Sequence, residues 1–404
     1  MTPSRIWVWL ALVPALLTAV LPAGAQSVPP KRIAFIVESW YPWSHADVIG
    51  TRFLEGYRVG DKVYSSPLTV ASVYTDAPQP NDKTRALATR YGFRIATSVA
   101  EALLDDARSP RPRLAVDGVL IATREDLPKF GGQLASPTPR LRVVREVLRI
   151  LDQTGTRVPI FVDKMPAANW GDSQTIVAEA ARLGVPLMAG SVLPYTPLDR
   201  PVRGGGVEVG IVIVSAPYWA FAFHAAELLQ GFMEQRTTRE VGVSTIREVG
   251  RAYWSMPDRD RWGGRVFDAL LASARTKIAR AVAVPAGLGP ETYVLLIQYV
   301  DGTRAVLALV PRVFDDTEFL LGAQHADGSM STGGLLLQGE PFDHFGYLVH
   351  ALAAFFTTGH PTVPVERALL TTGIVLLGQE ARQAGGPVSS PSLAISYPVT
   401  RGRP

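Results

Sequence analysis

Residues 158–190 read VPIFVDKMPAANWGDSQTIVAEAARLGVPLMAG. The apolar, β-branched run from Val158 to Val162 predicts a buried strand. The stretch through Val177 to Leu183 predicts a helix, and Pro186 to Ala189 a second short strand. Strand, helix and strand in about thirty residues make a βαβ unit, whose two strands lie parallel in one sheet. Asp163 and Lys164 follow the first strand directly. They therefore belong at the carboxyl edge of the sheet, where open α/β folds bind ligands.

The same alternation extends toward the N-terminus. Arg32 to Glu38 is a short buried-strand run, and Ser44 can cap a helix whose apolar face includes Val48, Ile49, Phe53 and Leu54. Leu68 to Tyr74 is a second strand, followed by Asn81-Asp82 as capping residues for a helix toward Tyr91. Ser98-Val99-Ala100-Glu101 has the spacing of a capping box, Gly118 to Ala122 is another strand, and Val143, Val144, Val147, Leu148 and Leu151 form one helical stripe. The repetition predicts an α/β fold, with a Rossmann-like, doubly wound parallel sheet over residues 31–192.

From Leu193 to Gly206, three prolines and Gly204-Gly205-Gly206 interrupt every periodic pattern, so residues 193–206 read as a linker or crossover. Val207 to Val214 is then a strand, Phe221 to Met233 a helix, and Tyr293 to Val300 pairs with Ala305 to Val310 through the hairpin signal Asp301-Gly302. Residues 207–382 are thus expected to form an α+β domain with a largely antiparallel open sheet. It ends in helices near Phe342–Phe356 and Val365–Ala381, with a Pro/Ser/Gly-rich tail at 383–404. No repeat of solenoid period is present.

Composition narrows the function classes. A chain of 404 residues with 47% hydrophobic side chains exceeds one small module. Its 40 basic and 36 acidic residues are interspersed, without the basic block of a nucleic-acid footprint. It has no cysteine, which excludes disulfides, thiolate nucleophiles and thiolate metal sites. Near the N-terminus, Arg5, the apolar run Ile6 to Leu21 and Ala23-Gly24-Ala25 read as an export signal over residues 1–25. The expected location is periplasmic or secreted, with no stable membrane span once the signal is cleaved; the alternative is a retained anchor. A lone arginine in that segment implies passage of the unfolded chain, so a dinucleotide would have to be acquired outside the cytoplasm.

Several strings resemble the Gfo/Idh/MocA family, which includes glucose-fructose oxidoreductase and inositol dehydrogenase. They are RALATRYGFRIATSVAEALL at 85–104 with the strand ending at Thr123, the 158–190 stretch with Asp163-Lys164 at the family's Glu-Lys positions, Phe223 to Leu229 around His224, and FFTTGHPTVPVERALLTTGIVLLGQEAR at 355–382. The resemblance implies an exported oxidoreductase acting on a sugar or polyol with NAD or NADP. Lys164 would polarise the reacting oxygen and His224 exchange its proton. Candidate cofactor contacts are Glu38, Ser44, Asp76, Thr123 and Asp163. The family's open second sheet leaves room for a homo-oligomer.

Three departures stand beside the resemblance. Residues 33–47 read IAFIVESWYPWSHAD where the family has Gly-x-Gly-x-x-Gly, Met165 separates Lys164 from Pro166, and Ala220 occupies the position of an aspartate four residues before the histidine. The aromatic loop and Pro42 replace residues that let backbone N–H groups approach a pyrophosphate.

Each candidate also has a structural reading. Lys164 can instead form an ion pair, and His224, among Phe221, Phe223, Leu228 and Leu229, can be a packed core histidine with Glu227 as its orienting carboxylate or a substrate contact. Trp40 and Trp43, with Tyr41, can stack on a sugar ring or seal the domain. Glu38, His45 and Asp47 flank the ligand-facing turn, where His45 is an acid–base candidate; their spacing is no metal signature, and no metal is expected. The expected function is a nicotinamide-dependent oxidoreductase, because the resemblance spans both domains; the alternatives are a cofactor-independent lyase or epimerase on the same scaffold and a non-catalytic carbohydrate-binding protein.

Overall fold

The computed structural model describes residues 29–129, 131–277 and 288–399. The segment read as an export signal lies outside them, as does the extreme end of the tail. Among the described residues no helix is long and apolar enough to cross a membrane.

Six strands form the first sheet: β1 Lys31–Val37, β2 Leu68–Thr75, β3 Arg94–Ala96, β4 Gly118–Ala122, β5 Ile160–Asp163 and β6 Leu187–Gly190. All neighbours are parallel, in the order β3-β2-β1-β4-β5-β6. This is the doubly wound order in which the chain reverses direction between β1 and β4, opening a crevice beyond their carboxyl ends. Both faces are covered, so Ile33 to Val37 and Val119 to Ile121 are buried continuously.

The connecting helices begin and end as their sequences dictate. A π-helical turn, Ala46–Gly50, runs into α1 Thr51–Glu55; α2 Thr84–Tyr91 and α3 Val99–Leu103 follow. Ser98 Oγ caps α3 by accepting from Glu101 N, although Glu101 reaches back to Thr97 rather than to Ser98. Helix α4, Pro139–Thr154, has Thr138 as its N-cap, Pro139 in its first turn and Gly155 in the left-handed conformation beyond its end. Helix α5, Trp170–Leu183, starts seven residues before the apolar pattern did, because Asn169 accepts from Asp172 N and sets the start of the helix there.

The second sheet contains β7 Val207–Val214, β8 Val243–Glu248, β9 Tyr293–Tyr299, β10 Arg304–Leu309, β11 Glu318–His325 and β12 Met330–Leu336. Their order is β8-β9-β10-β7-β11-β12, and only β10 with β7 is parallel. Helices α6 Tyr218–Met233 and α7 Gly264–Ser273 pack against this sheet. Helix α8 Phe345–Thr358 lies against the region of α1, and α9 Val365–Ala384 packs on α6, β8, α5 and β6. One continuous apolar core therefore runs between the sheets, from Phe35 and Leu120 through Phe223 and Leu376 to Leu295 and Leu307.

Candidate active site

Beyond the ends of β1, β4 and β5 the structure has a polar crevice of about 300 Å³, lined among others by Glu38, Ser44, His45, Thr123, Asp163 and Lys164. An adjoining cavity of about 260 Å³ is lined by His45, His224 and His344 and by a set of aromatic side chains. His45 lines both. The first turn after β1 carries it, and the sheet supplies Asp163 from the end of β5.

His45 Nδ1 lies 2.7 Å from Asp163 Oδ2, a close contact without the alignment of a full hydrogen bond. Asp163 is buried, which raises a carboxyl's pKa, but His45, Lys164 and Arg140 outweigh burial and hold it below the ordinary aspartate value. The His45 and His224 rings are 6.2 Å apart, centroid to centroid. His224 is pushed well below the usual histidine range by burial, with Lys164 and His45 adding repulsion, so at neutral pH it is an uncharged proton acceptor. On the crevice wall, burial raises Glu38, reinforced by Asp126 and Asp76 and opposed by Arg124. Carboxyls pushed apart in this way can divide acid and base roles.

A chain of buried contacts orients His224. Its Nδ1 lies 2.6 Å from Ser191 Oγ, Ser191 N donates to Glu227 Oε2 at 3.2 Å, and Thr371 Oγ1 on α9 donates to Glu227 Oε1 at 2.6 Å. Gly190 makes the approach possible: its φ is +140°, and a Cβ there would sit 2.6 Å from Glu227 Oε2. Glu227 therefore acts behind His224, away from both cavities. Lys164 holds φ +67°, its N–H donating to Gly190 O at 3.0 Å, and its Nζ is 4.0 Å from Asp126 Oδ1. Three of the four described non-glycine residues with positive φ, Trp43, Lys164 and Phe342, line these two cavities, where stored backbone strain is a mark of function.

Other expectations are corrected or refined. Trp40 offers no face to a sugar: it is fully buried, stacked on Phe93 at 6.1 Å and packed on Phe35. Its ring fills the space beside Gly50, where a Cβ would lie 2.7 Å from the indole. Trp43 is 64% exposed at the cavity mouth, its indole N–H donating to Glu340. Asp76 is exposed, accepts from Tyr74 Oη at 3.2 Å and lies outside the crevice lining. The Ser44 hydroxyl is engaged within its own turn, accepting from the amides of Tyr41 and Asp47. Thr123 faces buried Arg140, whose guanidinium also donates to Met165 O at 2.6 Å.

Sequence reasoning missed Arg124, Asp126, Ser191 and His344, which have no motif spacing and meet the site only through folding. Burial, with Arg52 and His45 adding repulsion against the pull of Asp343, lowers His344 to about 4.

The turn after β1 does not fit a pyrophosphate. Such a group needs free backbone N–H donors at a helix N-terminus. Here Trp40 N donates to Asp82 Oδ2 at 2.7 Å, Tyr41 N to Ser44 Oγ at 3.2 Å, Trp43 N to Asp47 Oδ2 at 3.0 Å and Ser44 N to Tyr41 O at 3.1 Å; Pro42 has no N–H. Asp47 already places a carboxylate in the first helical turn, paired with Lys83 at 2.7 Å. Burial works against that charge, but Lys83, the Trp43 amide and Thr51 hold Asp47 below its ordinary value.

No family model and no curated sequence matches the chain. Solved structures do. GenD2 from gentamicin A biosynthesis, in complex with NAD, matches at 15% identity and a TM-score of 0.57, covering 92% of this chain and 99% of that one. A probable dehydrogenase from Thermotoga maritima matches at 12% and 0.54, covering 90% and 99%. Scyllo-inositol dehydrogenase from Lactobacillus casei, with bound NAD(H) and scyllo-inositol, matches at 11% and 0.54, covering 89% and 98%. Inositol dehydrogenases are among the other matches, and at these identities the likeness establishes a shared fold: a Rossmann-like parallel sheet followed by a largely antiparallel one.

Proposed function

We propose that this protein is an enzyme that performs acid–base chemistry on a sugar or polyol, on the scaffold of the nicotinamide-dependent oxidoreductases. The observation that carries the reading is the convergence of His45, Asp163, Lys164 and His224 where the two cavities meet. Uncharged His224 accepts a proton from a substrate hydroxyl or the adjacent carbon, and the Lys164 ammonium stabilises the negative charge that develops on oxygen. His45, held against Asp163, supplies or accepts the second proton. Glu227 and Ser191 position the His224 ring.

Two versions of this chemistry are open to the scaffold. Oxidation with NAD or NADP is supported by the fold and by the nucleotide-bound neighbours. Proton transfer without a nucleotide, as in a lyase or epimerase, is supported by the turn after β1, where the N–H groups of Trp40, Tyr41 and Trp43 are spent within the protein and the Asp47 carboxylate occupies the helix start. We favour the second. Export, read from residues 1–25, agrees with it, because a cofactor-free site needs no dinucleotide outside the cytoplasm.

The test is incubation of the purified protein in deuterium oxide with a panel of sugars, uronates and polyols, with and without NAD or NADP. Carbon-bound deuterium appearing without nucleotide, and lost in His45→Asn, is the expected result. Reduced nucleotide formed with no exchange in its absence would establish the oxidoreductase version instead, and inertness of the whole panel under both conditions would count against enzymatic action on this class.

A further inference from the structure

The walls of the second cavity do not suit a bare polyol. Trp43, Val48, Leu193, Phe221, Phe319 and Phe345 present hydrocarbon, and the indole N–H of Trp43 is already given to Glu340. Hydroxyl groups pressed against these six side chains lose water without gaining partners, although Asp316, Thr317, Gln338 and three imidazoles add polar groups to the lining. The volume is nevertheless well above the roughly 150 Å³ in which an apolar cavity takes up benzene.

The inner end of this cavity is catalytic. The His45 ring meets Phe345 edge-to-face at 5.6 Å, and the His224 ring meets Phe221 at 6.2 Å, so both imidazoles line the aromatic chamber, and His45 lines the polar crevice as well. A ligand spanning the two must be amphiphilic, with its hydroxyls toward Lys164 and Glu38 and an apolar part among the phenyl rings. Trp43 at φ +67° and Phe342 at φ +55° hold aromatic side chains on the wall in a backbone conformation costly for either residue. The Asp47 carboxylate pins the Trp43 amide and so fixes that geometry.

We propose that the substrate of this site carries an aromatic or similarly apolar ring attached to its hydroxylated part, and that the ring binds in the chamber behind Trp43. This deepens, and rests on, the acid–base reading above. Aromatic glycosides and aryl-substituted polyols are the ligand class it names.

The test is calorimetry on the purified protein with benzyl alcohol, phenyl β-D-glucopyranoside and methyl β-D-glucopyranoside, repeated on Trp43→Ala and Phe221→Ala. The expected result is measurable benzyl alcohol binding and at least a tenfold preference for the phenyl over the methyl glycoside. That preference falls below threefold in either wall variant. Equal binding of the two glycosides with no benzyl alcohol binding, or a preference unchanged in both wall variants, overturns the proposal. If the ring preference is missing while His45-dependent deuterium exchange into a bare polyol persists, this inference falls and the proposed function stands. Ring binding without exchange on any substrate upholds the chamber and removes the proposed function.

Discussion

His45 Nδ1 stands 2.7 Å from Asp163 Oδ2, although one residue belongs to the turn after β1 and the other to the last position of β5. A carboxylate buried beside an imidazole holds the ring in one orientation. His45→Asn should therefore lower kcat/KM by about 10²–10⁴, the usual contribution of a positioned acid–base group, while leaving the folded state intact. Steady-state kinetics on the substrate found in the exchange screen provide the check, and a loss below threefold would remove His45 from the chemistry.

Asp163 also links the site to stability. Its pKa is depressed in the folded protein, so its contribution is present above the unfolded value near 3.9 and is lost as pH falls through the folded value. In Asp163→Asn the acid-unfolding curve should flatten below about pH 4, and stability near pH 7 should drop because His45 loses its partner. Urea denaturation at a series of pH values measures both.

His224 and His344 work over a different range. Both are depressed, so the unfolded chain binds more protons than the folded one once pH falls below about 6.5. Stability is full above that value and declines below it, each imidazole adding a slope approaching about 1.4 kcal/mol per pH unit. His344→Gln should reduce the loss between pH 6.5 and 5. An unchanged slope would show that His344 titrates as it does in the unfolded chain.

The two tryptophans of the aromatic loop should separate cleanly. Trp40→Ala removes a fully buried ring and should cost about 3–5 kcal/mol in chemical denaturation. Trp43→Gly removes an exposed ring from a positive-φ position and should leave stability within about 0.5 kcal/mol or raise it slightly. Comparable losses in both variants would contradict the placement of Trp43 at the cavity mouth.

Behind the site, Arg367 and Glu234 form a buried ion pair that Tyr397 Oη joins at 2.8 Å from Glu234 Oε1. Arg367→Met should cost about 3–5 kcal/mol because it strands a buried carboxylate, and adding Glu234→Gln should recover part of that loss. The double-mutant cycle, read by urea midpoints, reports the coupling.

Much of this architecture is legible in the amino-acid sequence because buried parallel strands are continuous apolar runs. Arg32–Glu38, Gly118–Ala122 and Val207–Val214 correspond closely to β1, β4 and β7. Strands β8, β11 and β12 were not anticipated, since VSTIRE is largely polar and Gly322, Gly333 and Gly334 break the strand signal in the other two. Lys164 and His224 were legible as candidates from their helices and strands. Their meeting with His45 and Ser191 was not, because it depends on how β5, β6 and α6 are placed. Trp40 misled for a related reason: the aromatic partners that bury it, Phe35 and Phe93, come from separate segments whose packing is set by the sheet.

The central claim is that this scaffold carries its acid–base site without a dinucleotide. Calorimetric titration of the purified protein, stripped of bound small molecules, with NAD and NADP in oxidised and reduced forms tests it most directly. The account predicts no measurable binding of any of the four to folded protein. Micromolar binding of one of them would contradict it and return the site to nicotinamide-dependent oxidation.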